Sequence, residues 1–236
     1  MRVGFGVLPL AQLEGVDRYL HPVRYRNITI TYEPMGEEAV VALLTYWLLE
    51  GREGLPEEVR DFFEQLDEGY LSSESNFDQW DFEELEIGEL VVGRDILRHP
   101  RVENIKRFLA LLRDFGGVKV EGIELPLPIT PSDPELGEIF EAERSFEYNL
   151  EEVAELPSFD EGVVYCCENG GIVKPGVLLC SHQFIIANKI KRFKVAIDGE
   201  IFRVEKVPDL KGVFGVIYRP VEGYPFKRVK IENWEE

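Results

Sequence analysis

The residues best suited to chemistry are three cysteines and a histidine that lie between positions 166 and 182. Cys180 and His182 are two residues apart, so on a β-strand both side chains would point to the same face. Cys166 and Cys167 are adjacent, and only one of them could join that face. The metal ligands predicted from this spacing are Cys167, Cys180 and His182, one fewer than the four ligands that structural zinc normally takes.

Other interpretations of these cysteines stay open, and no cofactor is predicted. They could be small buried side chains in the core of a sheet, or Cys180 could form a disulfide with Cys166 or Cys167. Cys180 could also act as a nucleophile if His182 or His99 removed its proton. The last interpretation, or a bound metal ion, would make the protein a metal- or thiol-dependent hydrolase with its site near Cys180 and His182.

A second group of interest lies in the acidic segment Glu64–Glu89, which also carries aromatic residues. Its carboxylates could bind Mg²⁺ or Ca²⁺, but their order does not match the twelve-residue calcium loop. Large aromatic side chains in a negative field are typical of contacts with a protein partner. We therefore predict three partner-binding residues here: Phe77, Trp80 and Phe82. The alternative is a solvated helix or loop whose aromatic side chains pack into the core.

A third group is the basic segment Lys189–Lys194, which also contains a phenylalanine. Four cations in six residues could bind phosphates or the acidic surface of a partner. The alternative is the outer face of a strand, where lysine discourages edge pairing. The predicted partner-binding residues are Lys189, Lys191, Arg192 and Lys194.

The charge of the chain is strongly uneven. The 236 residues carry a formal net charge of −19, but the last 54 residues hold 11 Lys and Arg against 8 Asp and Glu. Binding of nucleic acid is disfavoured for so acidic a chain, except through the basic segment near the C-terminus. Surfaces of opposite charge on one chain favour association with copies of itself or with another protein.

These observations predict a non-enzymatic structural or interaction subunit of a larger assembly, such as a virus particle or another multi-subunit complex. The sequence contains none of the phosphate-binding, hydrolase, metalloprotease or kinase motifs that would indicate an enzyme class. A further alternative is a decoy that mimics the charge of nucleic acid.

The first two thirds of the chain are expected to be rich in helices. Apolar spacing predicts helices over Glu37–Glu50, Pro56–Leu66 and Val102–Phe115, and a strand over Val23–Tyr32. An acidic helix is expected over Glu135–Glu155, after a proline-rich connection at 124–134.

The rest of the chain is expected to form strands. Asn169–Gly170 and Asp198–Gly199 predict two hairpins, the second of which would pair Val195 with Phe202 and bury Phe193 against Val204. The predicted fold is α+β, with a helix-rich acidic part at 1–157 and a small antiparallel sheet or barrel at 158–236.

The location is expected to be intracellular, soluble and cytoplasmic. The N-terminus lacks the features of a signal peptide, and the longest apolar run, Ala39–Leu49, is too short to span a membrane. The charged fraction of 30% is typical of proteins from thermophiles.

Overall fold

The computed structural model describes residues 1–126, 148–158 and 162–234. These residues form an α+β fold built around two sheets, which confirms the predicted class. Most of the predicted connection at 124–134 and of the predicted helix Glu135–Glu155 lies outside the described residues, and residues 148–155 have no helical structure. Within the described ranges, no helix combines the length and apolar character needed to cross a membrane.

The first sheet is entirely parallel. Its five strands run in the spatial order β4-β2-β1-β5-β6. The strands are β1 (Arg2–Phe5), β2 (Arg18–Leu20), β4 (Thr29–Ile30), β5 (Glu89–Val92) and β6 (Lys119–Glu121). The chain therefore starts in the middle of the sheet, builds outward on one side of β1, and then returns to build outward on the other side.

Seven helices are described, and the longest two pack together against this sheet. They are α1 (Glu37–Leu49), α2 (Glu57–Gln65), α3 (Glu68–Ser75), α4 (Gln79–Glu83), α5 (Arg94–Leu97), α6 (Val102–Asp114) and α7 (His182–Ala187). The predicted helices at α1, α2 and α6 are confirmed to within one residue at each end. Helix α1 is buried on nearly all sides because it packs against α6, against α3 and against the sheet.

The second sheet is mixed and nearly closed, with the order β13-β7-β12-β8-β10-β9-β14. Its strands are β7 (Gly162–Cys167), β8 (Val177–Cys180), β9 (Lys194–Ile197), β10 (Glu200–Lys206), β12 (Phe214–Tyr218), β13 (Phe226–Val229) and β14 (Ile231–Asn233). Only Lys230 separates β13 from β14, so one continuous segment pairs with β7 at one edge and with β9 at the other. We call this sheet the barrel.

Two predictions about the barrel need correction. The sheet is not purely antiparallel, because β7 pairs with β12 and β8 pairs with β10 in parallel. Asn169–Gly170 does not close a hairpin, since β12 lies between β7 and β8. The hairpin at Asp198–Gly199 is confirmed, with Val195 opposite Phe202 as expected.

A small two-stranded sheet connects the two parts of the chain. Strand β3 (Arg24–Tyr25) pairs with β11 (Leu210–Lys211) from the barrel region. The single strand predicted over Val23–Tyr32 is therefore divided into β3 and β4, and Arg26 between them has a positive φ of 53°. The two parts also share a core, because Leu8 and Val23 pack with barrel residues.

Candidate interaction surfaces

In the acidic segment, the short helix α4 and its end residues expose both carboxylates and an aromatic ring. Asp78 and Asp81 cap this helix by exchanging hydrogen bonds, at 3.0 Å from the Asp81 amide and 3.3 Å from the Asp78 amide. Trp80 projects into solvent with 78% of its surface exposed. We call Asp78, Trp80, Asp81, Glu83 and Glu84 the acidic surface.

The carboxylates of the acidic surface have no ion-pair partner among the described residues. Partial burial raises the pKa of Asp81, and the charges of Asp78 and Glu84 raise it further, while Arg24 lowers it. The surface therefore carries a net negative charge beside an exposed indole ring, and Arg24 offsets part of that charge.

Phe77 and Phe82 do not contribute to this surface in the same way. Phe77 is fully buried, and its ring lies 5.8 Å from that of Trp47. Phe82 is half-buried, with its ring 5.5 Å from the same indole. Their prediction as partner anchors needs correction for Phe77, because a side chain without exposed surface cannot contact a partner. Trp80 is the aromatic residue of the three that stays available.

The basic segment follows α7 and also exposes an aromatic ring. Phe193 has 82% of its surface exposed, so its predicted burial is wrong. The predicted register nevertheless holds, since the Val204 amide donates to the Phe193 carbonyl at 2.8 Å. Lys189, Lys191 and Arg192 make no ion pair with any described residue. We call Lys189, Lys191, Arg192 and Phe193 the basic surface; Lys194 begins β9 beside it.

The backbone of the basic surface is held in place by the C-terminal strand. The Lys191 amide donates to Oδ1 of Asn233 at 2.7 Å, and Nδ2 of Asn233 donates to the Lys189 carbonyl at 3.1 Å. This clamp fixes the path of the chain while the cationic side chains point away from the core.

The predicted zinc ligands do not come together among the described residues. Cys167 and Cys180 belong to different core clusters, on opposite faces of the barrel sheet, and His182 is exposed in the first turn of α7. No three His, Cys, Asp or Glu residues of the described ranges are placed to hold a metal ion. All three cysteines are free thiols.

Burial also makes these thiols poor nucleophiles. It raises the pKa of Cys180 to about 11, and it raises the pKa of Cys166 and of Cys167 in the same direction. Because the thiolate is the reactive form, the sulfur atoms are chemically quiet inside the folded chain.

The structure also contains a buried polar cluster that sequence patterns did not indicate. Nε2 of His21 lies 3.0 Å from Oδ2 of Asp95, and the hydroxyl of Tyr165 donates to Oδ1 of Asp95 at 2.9 Å. The Val23 amide donates to Nδ1 of His21, which places the imidazole proton on Nε2, facing Asp95. Both oxygens of Asp95 are thus occupied.

A second buried carboxyl lies nearby at the start of α1. The hydroxyls of Tyr224 and Tyr32 donate to Oε1 of Glu37 at 2.6 Å and 3.2 Å. Oε2 has no hydrogen-bond partner among the described residues, and Nε2 of His99 is 3.6 Å away. Burial raises the pKa of Glu37 to about 8, so this carboxyl is protonated at neutral pH.

Each buried carboxyl accepts a hydrogen bond from a tyrosine of the other part of the fold. Tyr165 lies on β7, and Tyr224 precedes β13, whereas Asp95 and Glu37 belong to helices of the parallel sheet. Sequence spacing could not indicate these pairs, because their members are 70 and 187 residues apart. The sequence offered one local indication, which was the ionisable Glu37 at the start of the largely apolar helix α1.

Comparison of the chain with family models, with curated proteins and with solved structures found no match.

Proposed function

We propose that the protein is a non-enzymatic assembly subunit that associates head to tail, with the acidic surface of one copy against the basic surface of the next. One observation supports this most directly. The two most exposed large apolar side chains of the described residues are Phe193 and Trp80, and they lie in segments of opposite charge.

The chemistry of the two surfaces is complementary. Trp80 lies in a segment whose carboxylates form no ion pair with a described residue. Phe193 follows Lys189, Lys191 and Arg192, which also form no ion pair with a described residue. Tryptophan is the residue most enriched among binding hot spots, and a guanidinium stacks favourably on its face. Contact between the surfaces would remove both rings from water and pair charges that are otherwise unpaired.

The kind of contact predicts the kind of assembly. Two different surfaces of one chain meet in a heterologous contact, which leaves a free surface of each type at the ends. Such contacts close into rings or extend into filaments, depending on the rotation between copies. The assembly should weaken as salt screens the charges.

The test is size-exclusion chromatography with light scattering at about 0.05 M and about 0.5 M salt. The wild-type chain is expected to form oligomers that dissociate at high salt. Trp80→Ser and Phe193→Ser should each be monomeric. Tyr70→Ser removes a large exposed side chain outside both surfaces and should assemble like the wild type.

Mixing the two variants makes the test specific. Trp80→Ser keeps an intact basic surface and Phe193→Ser an intact acidic one, so their mixture should form a dimer and stop there. A wild-type monomer at low salt would overturn the proposal. So would an oligomer that ignores both substitutions, or variants that remain monomeric when mixed.

A further inference from the structure

A cleft opens where the central strands of the parallel sheet end. The chain leaves β1 toward β2 on one side and leaves β5 toward β6 on the other. Neighbouring strands whose connections diverge in this way leave a crevice at their carboxyl ends, which is where open parallel sheets bind ligands. In this protein the crevice is bounded on its far side by residues 165–169 of the barrel.

Glycines shape the floor of the cleft. Gly6 follows β1 with φ of +64°, and Gly122 follows β6 with φ of +87°. Gly93 follows β5, and a Cβ atom there would collide with the carbonyl of Gly6. The strand ends can therefore approach one another closely, and they enclose a cleft of about 330 Å³. This volume suits a small organic molecule.

The walls of the cleft combine an apolar side with a charged rim. Val7, Leu8, Leu13, Leu97 and Ile172 supply apolar surface. Leu13 and Leu97 are among the exposed large apolar side chains of the described residues, so a ligand would cover surface that is now wet. The charged lining residues are Arg94, Asp95, Arg98 and Glu168.

Among the four charged side chains at the rim, the hydrogen-bonding groups that remain free are guanidinium donors. Both oxygens of Glu168 accept from Nη2 of Arg98, at 2.9 Å and 3.0 Å, and Arg94 forms an ion pair with the same carboxylate through Nη1. Both oxygens of Asp95 are occupied by His21 and Tyr165. Nε and Nη1 of Arg98, and Nε and Nη2 of Arg94, have no acceptor among the described residues.

The free guanidinium N–H groups of Arg94 and Arg98 can donate hydrogen bonds to an anionic ligand. A guanidinium presents five N–H groups in a planar fork that matches a carboxylate or a phosphate. Glu168 already shows how an oxyanion is held between the two arginines, and it keeps the pair close to the cleft. The interactions of Arg98 with Glu168 lower the pKa of that carboxyl, so it stays ionised and orients both cations.

We propose that this cleft binds a small organic acid, in which an apolar body carries one carboxylate or phosphate group. The acid group lies on the free donors of Arg94 and Arg98, and the apolar body lies against Leu97 and Leu13. The cleft involves none of the residues of the acidic and basic surfaces, so ligand binding and self-association can fail separately.

The experiment is isothermal titration calorimetry of the full chain with phenyl phosphate and with benzoate. One ligand is expected to bind per chain, and the tighter of the two identifies the preferred acid. Inorganic phosphate and benzyl alcohol should bind more weakly, because each supplies only one half of the recognition.

Two substitutions at exposed positions test the location without breaking the fold. Arg94→Ala removes free donors and Leu97→Glu adds charge to the apolar wall, and each should weaken binding by about tenfold or more. Arg203→Ala, an exposed arginine outside the cleft, should leave the affinity unchanged. The proposal is overturned if neither acid binds, or if Arg94→Ala and Leu97→Glu bind as tightly as the wild type.

Discussion

The two parts of the fold differ sharply in what they bury. The described residues up to 126 bury nine polar or charged side chains: His21, Thr29, Glu37, Glu38, Thr45, Ser75, Asp95, His99 and Asn104. In the region from 148 to 234 the described residue of this kind is Ser181. The barrel core is otherwise made of aliphatic, aromatic and thiol side chains. The acidic excess of the chain thus extends into the interior of one part and not of the other.

The buried carboxyls make the parallel-sheet part depend on the barrel. A buried carboxyl costs free energy unless hydrogen bonds compensate it, and Asp95 and Glu37 receive theirs partly from Tyr165 and Tyr224. The dependence is mutual, because the buried hydroxyls of Tyr165 and Tyr224 find their acceptors in the first part. We expect the two parts to unfold together. We also expect the pH dependence of the free energy of unfolding to arise mainly from buried groups of the first part.

The largest effect is expected for Asp95→Ala. This substitution leaves the Nε2 proton of His21 and the hydroxyl of Tyr165 buried without acceptors, and it should lower the free energy of unfolding by about 3 kcal/mol. Urea denaturation measures the loss. Asp209→Ala is the matched control, because its ion pair with Arg26 also joins the two parts but is half exposed. The control should cost less than about 1 kcal/mol, and equal losses would contradict the importance of burial.

The second effect is a pH dependence caused by Glu37. The unfolded chain loses this proton near its ordinary value of 4.5, whereas the folded chain keeps it until about 8. The folded state binds more protons between these values, so the stability that Glu37 contributes is complete below 4.5 and is lost as the pH rises to about 8. One proton accounts for a slope of up to about 1.4 kcal/mol per pH unit.

Glu37→Gln tests this assignment, because glutamine keeps the shape and does not titrate. Urea denaturation at several pH values should show a flatter profile for the variant between 4.5 and 8. A variant profile that runs parallel to that of the wild type would show that the slope comes from other groups.

The third prediction concerns the barrel: its three cysteine thiols should not react while the chain is folded. Ellman's reagent at neutral pH should label none of the three cysteines while the chain is folded, since all are buried and their thiol pKa values are raised. In denaturant all three should react. Rapid labelling of a thiol in the folded protein would instead support the nucleophilic interpretation of Cys180.

The smallest effect on stability is expected at the two exposed aromatic residues. Trp80→Ser and Phe193→Ser should each change the free energy of unfolding by less than about 0.5 kcal/mol, although both should abolish assembly. Phe184→Ala, nine residues before Phe193 and fully buried, should cost about 3 to 5 kcal/mol. A large loss of stability in Phe193→Ser would mean that its ring packs within the chain.

Local patterns predicted the three most amphipathic or apolar helices and missed α3, α4 and α5, and they predicted the barrel only in part. Helices α1, α2 and α6 follow from apolar spacing and from their end residues, which act within a few positions of the chain. The Asp198–Gly199 hairpin is local in the same sense. Asn169–Gly170 carries an equally good turn signal, but β12 pairs with both β7 and β8 and so separates them. Whether two strands joined by a turn pair with each other depends on the other strands of the sheet, and a local turn signal carries no information about them.

Helices α1, α2 and α6, the strand-rich C-terminal region and the two segments of opposite charge could be predicted from the sequence, because propensity, periodicity and charge are local properties. Which aromatic side chain of each segment is exposed depends on tertiary packing: Trp80 is exposed and Phe77 is not, and Phe193 is exposed although its burial was expected. Tertiary packing also brings Asp95 and Glu37 within hydrogen-bonding distance of two barrel tyrosines, and it leaves a cleft at the strand ends. These features depend on contacts between residues far apart in the chain, where burial and pairing outweigh local preference.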